Sequence, residues 1–194
     1  GAGGINYIDN NDIETDTTGY STYDDGAVAA PVDGTGGTSN NLTVTRTTTS
    51  SEILRGDASL KIAKGAADAQ GEGVSVDFTI DTKDQGRKLI VKFDYSTSAN
   101  YASGDVIGYI YDVTNTNLIG ALTNGDDGEI LYSTNGVYLA QFTAATNSTS
   151  YRLILHYATT NASATDLIID SVSVGPDSPT PTLTEQSEEI DLTG

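Results

Sequence analysis

From Gly73 onward, apolar and polar residues alternate with a period of two in stretches of seven to nine residues. They are VSVDFTI at 74–80, KLIVKFDYS at 88–96, DVIGYIYDV at 105–113, VYLAQFT at 137–143, YRLILHYA at 151–158 and DLIIDSVSV at 166–174. Period-two alternation puts successive side chains on opposite faces of a strand. Turn-rich segments separate the stretches: DTKDQGR, STSANYASG, TNTN, TNGDDGE and TNSTS. No helical period intervenes, so the pattern predicts an all-β fold, an antiparallel β-sandwich of the jelly-roll kind. Two further strands, both half-buried, are expected in LTVTRTT at 42–48 and ASLKIAK at 58–64. VDGTGGTSN at 32–40 reads as irregular loop.

The alternation also assigns faces. Leu89, Val91, Phe93 and Tyr95 share one side and are assigned to the core, as are Val106, Gly108 and Ile110 in the next strand, and Leu153, Leu155 and Tyr157 at 151–158. If these strands lie in one sheet, its outward face gathers Lys92, Asp94, Tyr109, Tyr111, Arg152 and His156. Aromatic rings beside charged donors and acceptors suit sugars, whose C–H faces stack on rings and whose hydroxyls need directional partners. The same alternation also describes an ordinary solvated face or one that packs on a neighbouring subunit.

A second constellation is acidic. Asp9, Asp12, Glu14 and Asp16 stand near the start, and Asp170 follows Leu167, Ile168 and Ile169 in the closing strand. A buried carboxylate there needs a cation or several hydrogen-bond donors. Calcium accepts such oxygens, and a site of this kind would tie the first and last strands together. The alternative is that Asp170 accepts backbone N–H groups while the early acids cap turns. TNGDDGE at 123–129 lacks the flanking helices and ligand spacing of an EF-hand and reads as a turn.

Composition narrows the partners. In 194 residues, 27 acids face nine bases, a formal charge of −18 that repels nucleic acid and anionic lipid. Eleven Tyr and sparse helix formers agree with strands. Without cysteine there is no disulfide, thiolate or sulfur-bound zinc. No apolar run is long enough for a membrane span, so no membrane insertion is expected, and no signal peptide is visible. A start at Gly1 without Met is expected of a processed product or a segment of a longer protein. Residues 1–176 form the predicted sandwich; 177–194, rich in Pro, Ser, Thr and acids, read as a linker or docking tail. Arg55-Gly56-Asp57 spells an integrin tripeptide and Asn41, Asn147 and Asn161 begin glycosylation sequons, but patterns this short arise readily by composition. His156, the single histidine, has Ser150 and Ser171 as candidate partners, yet no nucleophile elbow supports a triad and no carboxylate pair is singled out, so no catalysis is expected.

Taken in order, NYIDNNDIETDTTGY, PVDGTGG, LRGDASLKI, GEGVSVDFTID, FDY, YIYDVTN, NSTSYRLILHYATT and DLIIDSVSVGP resemble a carbohydrate-binding-module-like jelly roll of the galactose-binding-like class, recurrent in bacteriophage tail-fibre and other virion proteins. The resemblance spans residues 4–176. It implies a non-catalytic domain on the virion surface, extracellular, that contacts host-surface glycan or serves as a structural spacer packed on other virion subunits, with a trimer the assembly expected of a fibre. It further implies a structural calcium held by Asp12, Glu14, the Ser59 to Lys61 backbone and Asp170. Tyr20 stands where such modules carry Trp, and Ile13 where they often carry Phe.

Overall fold

The computed structural model describes residues 5–119 and 129–177. The expected tail beyond Asp177 and most of the TNGDDGE turn lie outside the described residues. Eleven strands are described: β1 (Tyr20–Asp24), β2 (Leu42–Thr47), β3 (Ser59–Lys64), β4 (Glu72–Thr79), β5 (Lys88–Thr97), β6 (Val106–Asp112), β7 (Asn117–Ile119), β8 (Glu129–Ile130), β9 (Gly136–Thr143), β10 (Ser150–Tyr157) and β11 (Thr165–Pro176). Short 3-10 turns occupy Ser50–Glu52 and Thr82–Asp84.

These strands form two antiparallel sheets stacked as a sandwich. The first has the order β1-β4-β10-β6-β7, with β8 also on β6; the second has the order β2-β3-β11-β5-β9. Every expected strand is present within a few residues of its predicted ends. The three not foreseen, β1, β7 and β8, are five residues or fewer, too short to show a period.

The core lies between the sheets and is built from the assigned faces. Leu89, Val91, Phe93 and Tyr95 of β5 meet Val106 and Ile110 of β6 and Leu153, Leu155 and Tyr157 of β10 in one buried cluster. Each such side chain contributes about 1.5–3 kcal/mol by leaving water. Phe93 stacks on Tyr138 at 4.5 Å between ring centroids. The two ends of the domain are clasped: the Tyr7 N–H donates to the Val174 carbonyl (2.8 Å), the Val172 N–H to that of Asn11 (2.9 Å), and Asn6 bridges Val172 and Val174.

Candidate functional site

The six-residue outward panel does not form, because its strands belong to different sheets. Lys92 and Asp94 lie on β5 of the second sheet, while Tyr109 and Tyr111 on β6 and Arg152 and His156 on β10 are neighbours in the first. Ladder register sets these four in rows across the first sheet. Asp77, Arg152 and Tyr111 stand side by side, then Ser75, Ile154 and Tyr109, then Gly73, His156 and Ile107.

Nor is that face open. Tyr109 is 2 % exposed, Tyr111 9 % and His156 0 %. Residues 25–36 fold back over it as a strap, leaving Tyr23, Tyr109, Tyr111 and Ile154 in a second small hydrophobic cluster. The Asp25 carboxylate organises the strap by accepting the backbone N–H groups of Val32, Asp33, Gly34 and Gly36 at 2.8–3.1 Å. Three carbonyls then fasten it to the sheet: Val28 O bonds His156 Nε2 (2.9 Å), Asp33 O accepts from Arg152 Nη1 (2.6 Å), and Gly34 O accepts from Ser75 Oγ (2.9 Å). Gly34, at φ +77°, presses against Ile154 where a Cβ would collide.

Gly73 explains the Tyr23 contact. A side chain there would strike the Tyr23 ring, so its absence lets the phenol cross β4 and reach His156 Nδ1 at 2.7 Å. Both imidazole nitrogens are thereby engaged, and Ser150 and Ser171 are not their partners. Burial pushes the His156 imidazole below its ordinary value, against the raising effect of the Val28 bond and the Asp25 charge. The neutral ring that accepts from Tyr23 and donates to Val28 satisfies both contacts.

Beside the strap the face stays open. A recess of about 350 Å3 lies among Ser21, Gly34, Thr35, Ser75, Asp77 and Arg152. Arg152 is buried, its Nε bonded to Asp77 Oδ1 at 2.7 Å and its guanidinium 5.6 Å from the Tyr111 ring centroid. The Asp77 side chain is 68 % exposed. Its second oxygen accepts no protein hydrogen bond among the described residues. Sequence reading missed Asp77 and the strap. Gly73, which immediately precedes the alternating stretch at 74–80, was the available signal of close approach, but nothing in VDGTGGTSN says where that loop docks.

The acidic constellation takes the hydrogen-bonding arrangement that stood as the alternative to a cation, with protein donors on Asp170 and turn N–H groups on the early acids. Asp170 is fully buried and satisfied by protein donors: Ser59 Oγ (2.7 Å) and the Arg55 N–H (3.2 Å) on one oxygen, the Ser171 N–H (2.7 Å) on the other. Glu14 accepts the N–H groups of Asp57 and Ala58. Asp12 and Asp16 each accept the N–H two residues on. Burial raises the Asp170 pKa, the Glu14 charge adds to this, and hydrogen bonds from Ser59, Ser171 and Arg55 oppose it. Burial followed by the Asp170 and Asp12 charges likewise raises that of Tyr20. The Lys61 ammonium pairs with Glu52 and Asp166. Among the described residues no three His, Cys, Asp or Glu side chains converge as a ligand cluster. Of these carboxylates, Glu14 and Asp170 are close enough for the charge of one to act on the other.

No protein-family model matches the chain, and no curated protein matches it in sequence. Solved structures do match in fold. The CBM22-1 xylan-binding domain from Paenibacillus barcinonensis Xyn10C is 13 % identical with a TM-score of 0.56, over 92 % of this chain and 98 % of that one. A Family 16 Carbohydrate Binding Module-2 is 15 % identical with a TM-score of 0.52, over 87 % and 99 %. The enzymatically active domain of Bacteriophage CBA120 tailspike protein 4 is 14 % identical with a TM-score of 0.57, over 88 % of this chain and 21 % of that one. At such identities the likeness establishes the jelly-roll sandwich.

Proposed function

We propose that this chain is a non-catalytic module that binds glycan at the recess beside the strap, displayed at an extracellular surface such as that of a phage virion. The observation that carries the reading is the Asp77–Arg152 pair: a buried guanidinium fixes a carboxylate that still has one oxygen to offer. Such an oxygen accepts two sugar hydroxyls, with Ser21 and Thr35 beside it. The fold likeness to a domain described as xylan-binding, and to part of a phage tailspike, supports the sugar and the virion respectively. With Tyr109 and Tyr111 under the strap, ring stacking is not on offer, so single-site affinity is low and repeated copies supply avidity. A structural calcium between Glu14 and Asp170 belongs to the same proposal.

The test is a glycan array probed with a multivalent display of the domain, followed by Asp77→Ala. Binding that disappears in the variant under conditions where it remains folded is the expected result, with a lowered melting temperature because buried Arg152 loses its ion-pair partner. An array without a binder, or binding indifferent to Asp77, ends the reading.

A second reading rests on the other sheet. Val137 and Leu139 of β9 are 51 % and 57 % exposed, opposite Asp94 and Lys92 of β5, with half-buried Ile90 near Leu139, an amphipathic strip that suits packing on other virion subunits. A trimer in solution that buries this strip favours the spacer role.

A further inference from the structure

We propose that the outer face of the second sheet carries a second sugar site, selective for acidic sugars, in the recess of about 380 Å3 among Arg55, Lys92, Asp94, Ser171 and Ser173. The sandwich separates it from the Asp77 recess, which belongs to the first sheet.

The recess is built by the chain around it. The ladder between β5 and β11 shifts register between Asp170 and Ser173, and Ser171 takes a φ of +53°. This bulge leaves Val172 in the core while Ser171 and Ser173 line the recess with Lys92 and Asp94. The remaining wall is Arg55, on a segment pinned at both ends: Asp170 accepts its N–H, and Glu14 accepts those of Asp57 and Ala58. Arg55 then reaches across to Asp94 through Nε at 2.9 Å.

Its charge runs against that of the molecule as a whole. In a chain of charge −18, this recess holds two cations and one carboxylate. Arg55 uses only Nε on Asp94, so its two terminal nitrogens have no protein acceptor among the described residues. Exposed Lys92 makes no ion pair there either. Free guanidinium and ammonium donors call for an anionic oxygen group, and a carboxylate fits the planar fork of arginine. Asp94 and the two serine hydroxyls call for hydroxyl partners close by. A pyranose bearing a carboxylate, a uronate, supplies both in a volume this size. The choice of a sugar rests on the reading above; the charge and shape of the recess do not.

The experiment is a titration of the isotopically labelled domain, followed through backbone amide signals, with trigalacturonate and separately with xylohexaose. Trigalacturonate is expected to move the signals of Lys92, Asp94, Ser171 and Ser173 and to spare Ser75 and Asp77. Lys92→Gln, at an exposed position, is expected to weaken that binding about tenfold or more. No shift with trigalacturonate, shifts confined to the Asp77 face, or affinity unchanged by Lys92→Gln would each overturn the proposal. Xylohexaose reports separately on the Asp77 recess, so either site is able to fail while the other stands.

Discussion

His156 shows how one side chain changes meaning between sequence and structure. Period-two alternation places it correctly on the outward side of β10, and outward suggests accessible, yet the strap leaves it fully buried between Tyr23 and Val28. A buried base with a lowered pKa stays neutral in the folded chain while it protonates in the unfolded one. Its contribution to stability is therefore complete above the unfolded value, about pH 6.5, and is lost as pH falls through the lower folded value. Each tenfold change in proton affinity is worth about 1.4 kcal/mol. As the single histidine, it gives one imidazole signal to follow. That signal should titrate below about pH 6.5, and urea unfolding should show the native chain losing stability relative to His156→Gln on acidification from about pH 8 to 5. Titration at or above the ordinary value would mean that the ring is not sealed.

At the scale of elements, the strap is held less by apolar burial than by the four N–H groups converging on Asp25. Asp25→Ala should therefore release it at a cost of about 1–3 kcal/mol, with hydrogen exchange accelerated at residues 32–36 while β4 and β10 keep their protection. Uniform acceleration across the sheet would instead make the strap part of one cooperative unit. This element also marks the limit of what the sequence discloses. The eight longer strands and the core faces of β5, β6 and β10 were legible because alternation is local and burial on one face enforces it. Sheet membership was not, because it depends on which strand pairs with which: β5 and β6 are consecutive in the chain but lie in opposite layers. The strap was illegible for a related reason, since its anchors on Ser75, Arg152 and His156 are remote in sequence.

For the whole molecule, an excess of 18 negative charges is a repulsive background, and at the junction of its two ends it sets one carboxylate against another. Asp170 is sealed there beside Glu14, and its raised pKa means that the folded chain prefers the neutral acid. The stability attached to that proton is full below the unfolded value, about pH 4, and is lost as pH rises through the higher folded value. An ionised Asp170 is a standing cost in the folded chain, offset by Ser59 and by the N–H groups of Arg55 and Ser171. A calcium ion bound only by the folded chain would reverse that cost, contributing about 2.7 kcal/mol at a hundredfold excess over its dissociation constant. Proton and cation compete for the same carboxylate, which gives the proposal a signature of its own. Calcium should raise the melting temperature most near pH 7, the gain should shrink toward about pH 4, and Asp170→Asn should abolish it at every pH. Melting curves that coincide in calcium and in chelator at pH 7 would show that the clasp of Asn6, Tyr7 and Asn11 on β11 closes the domain without metal.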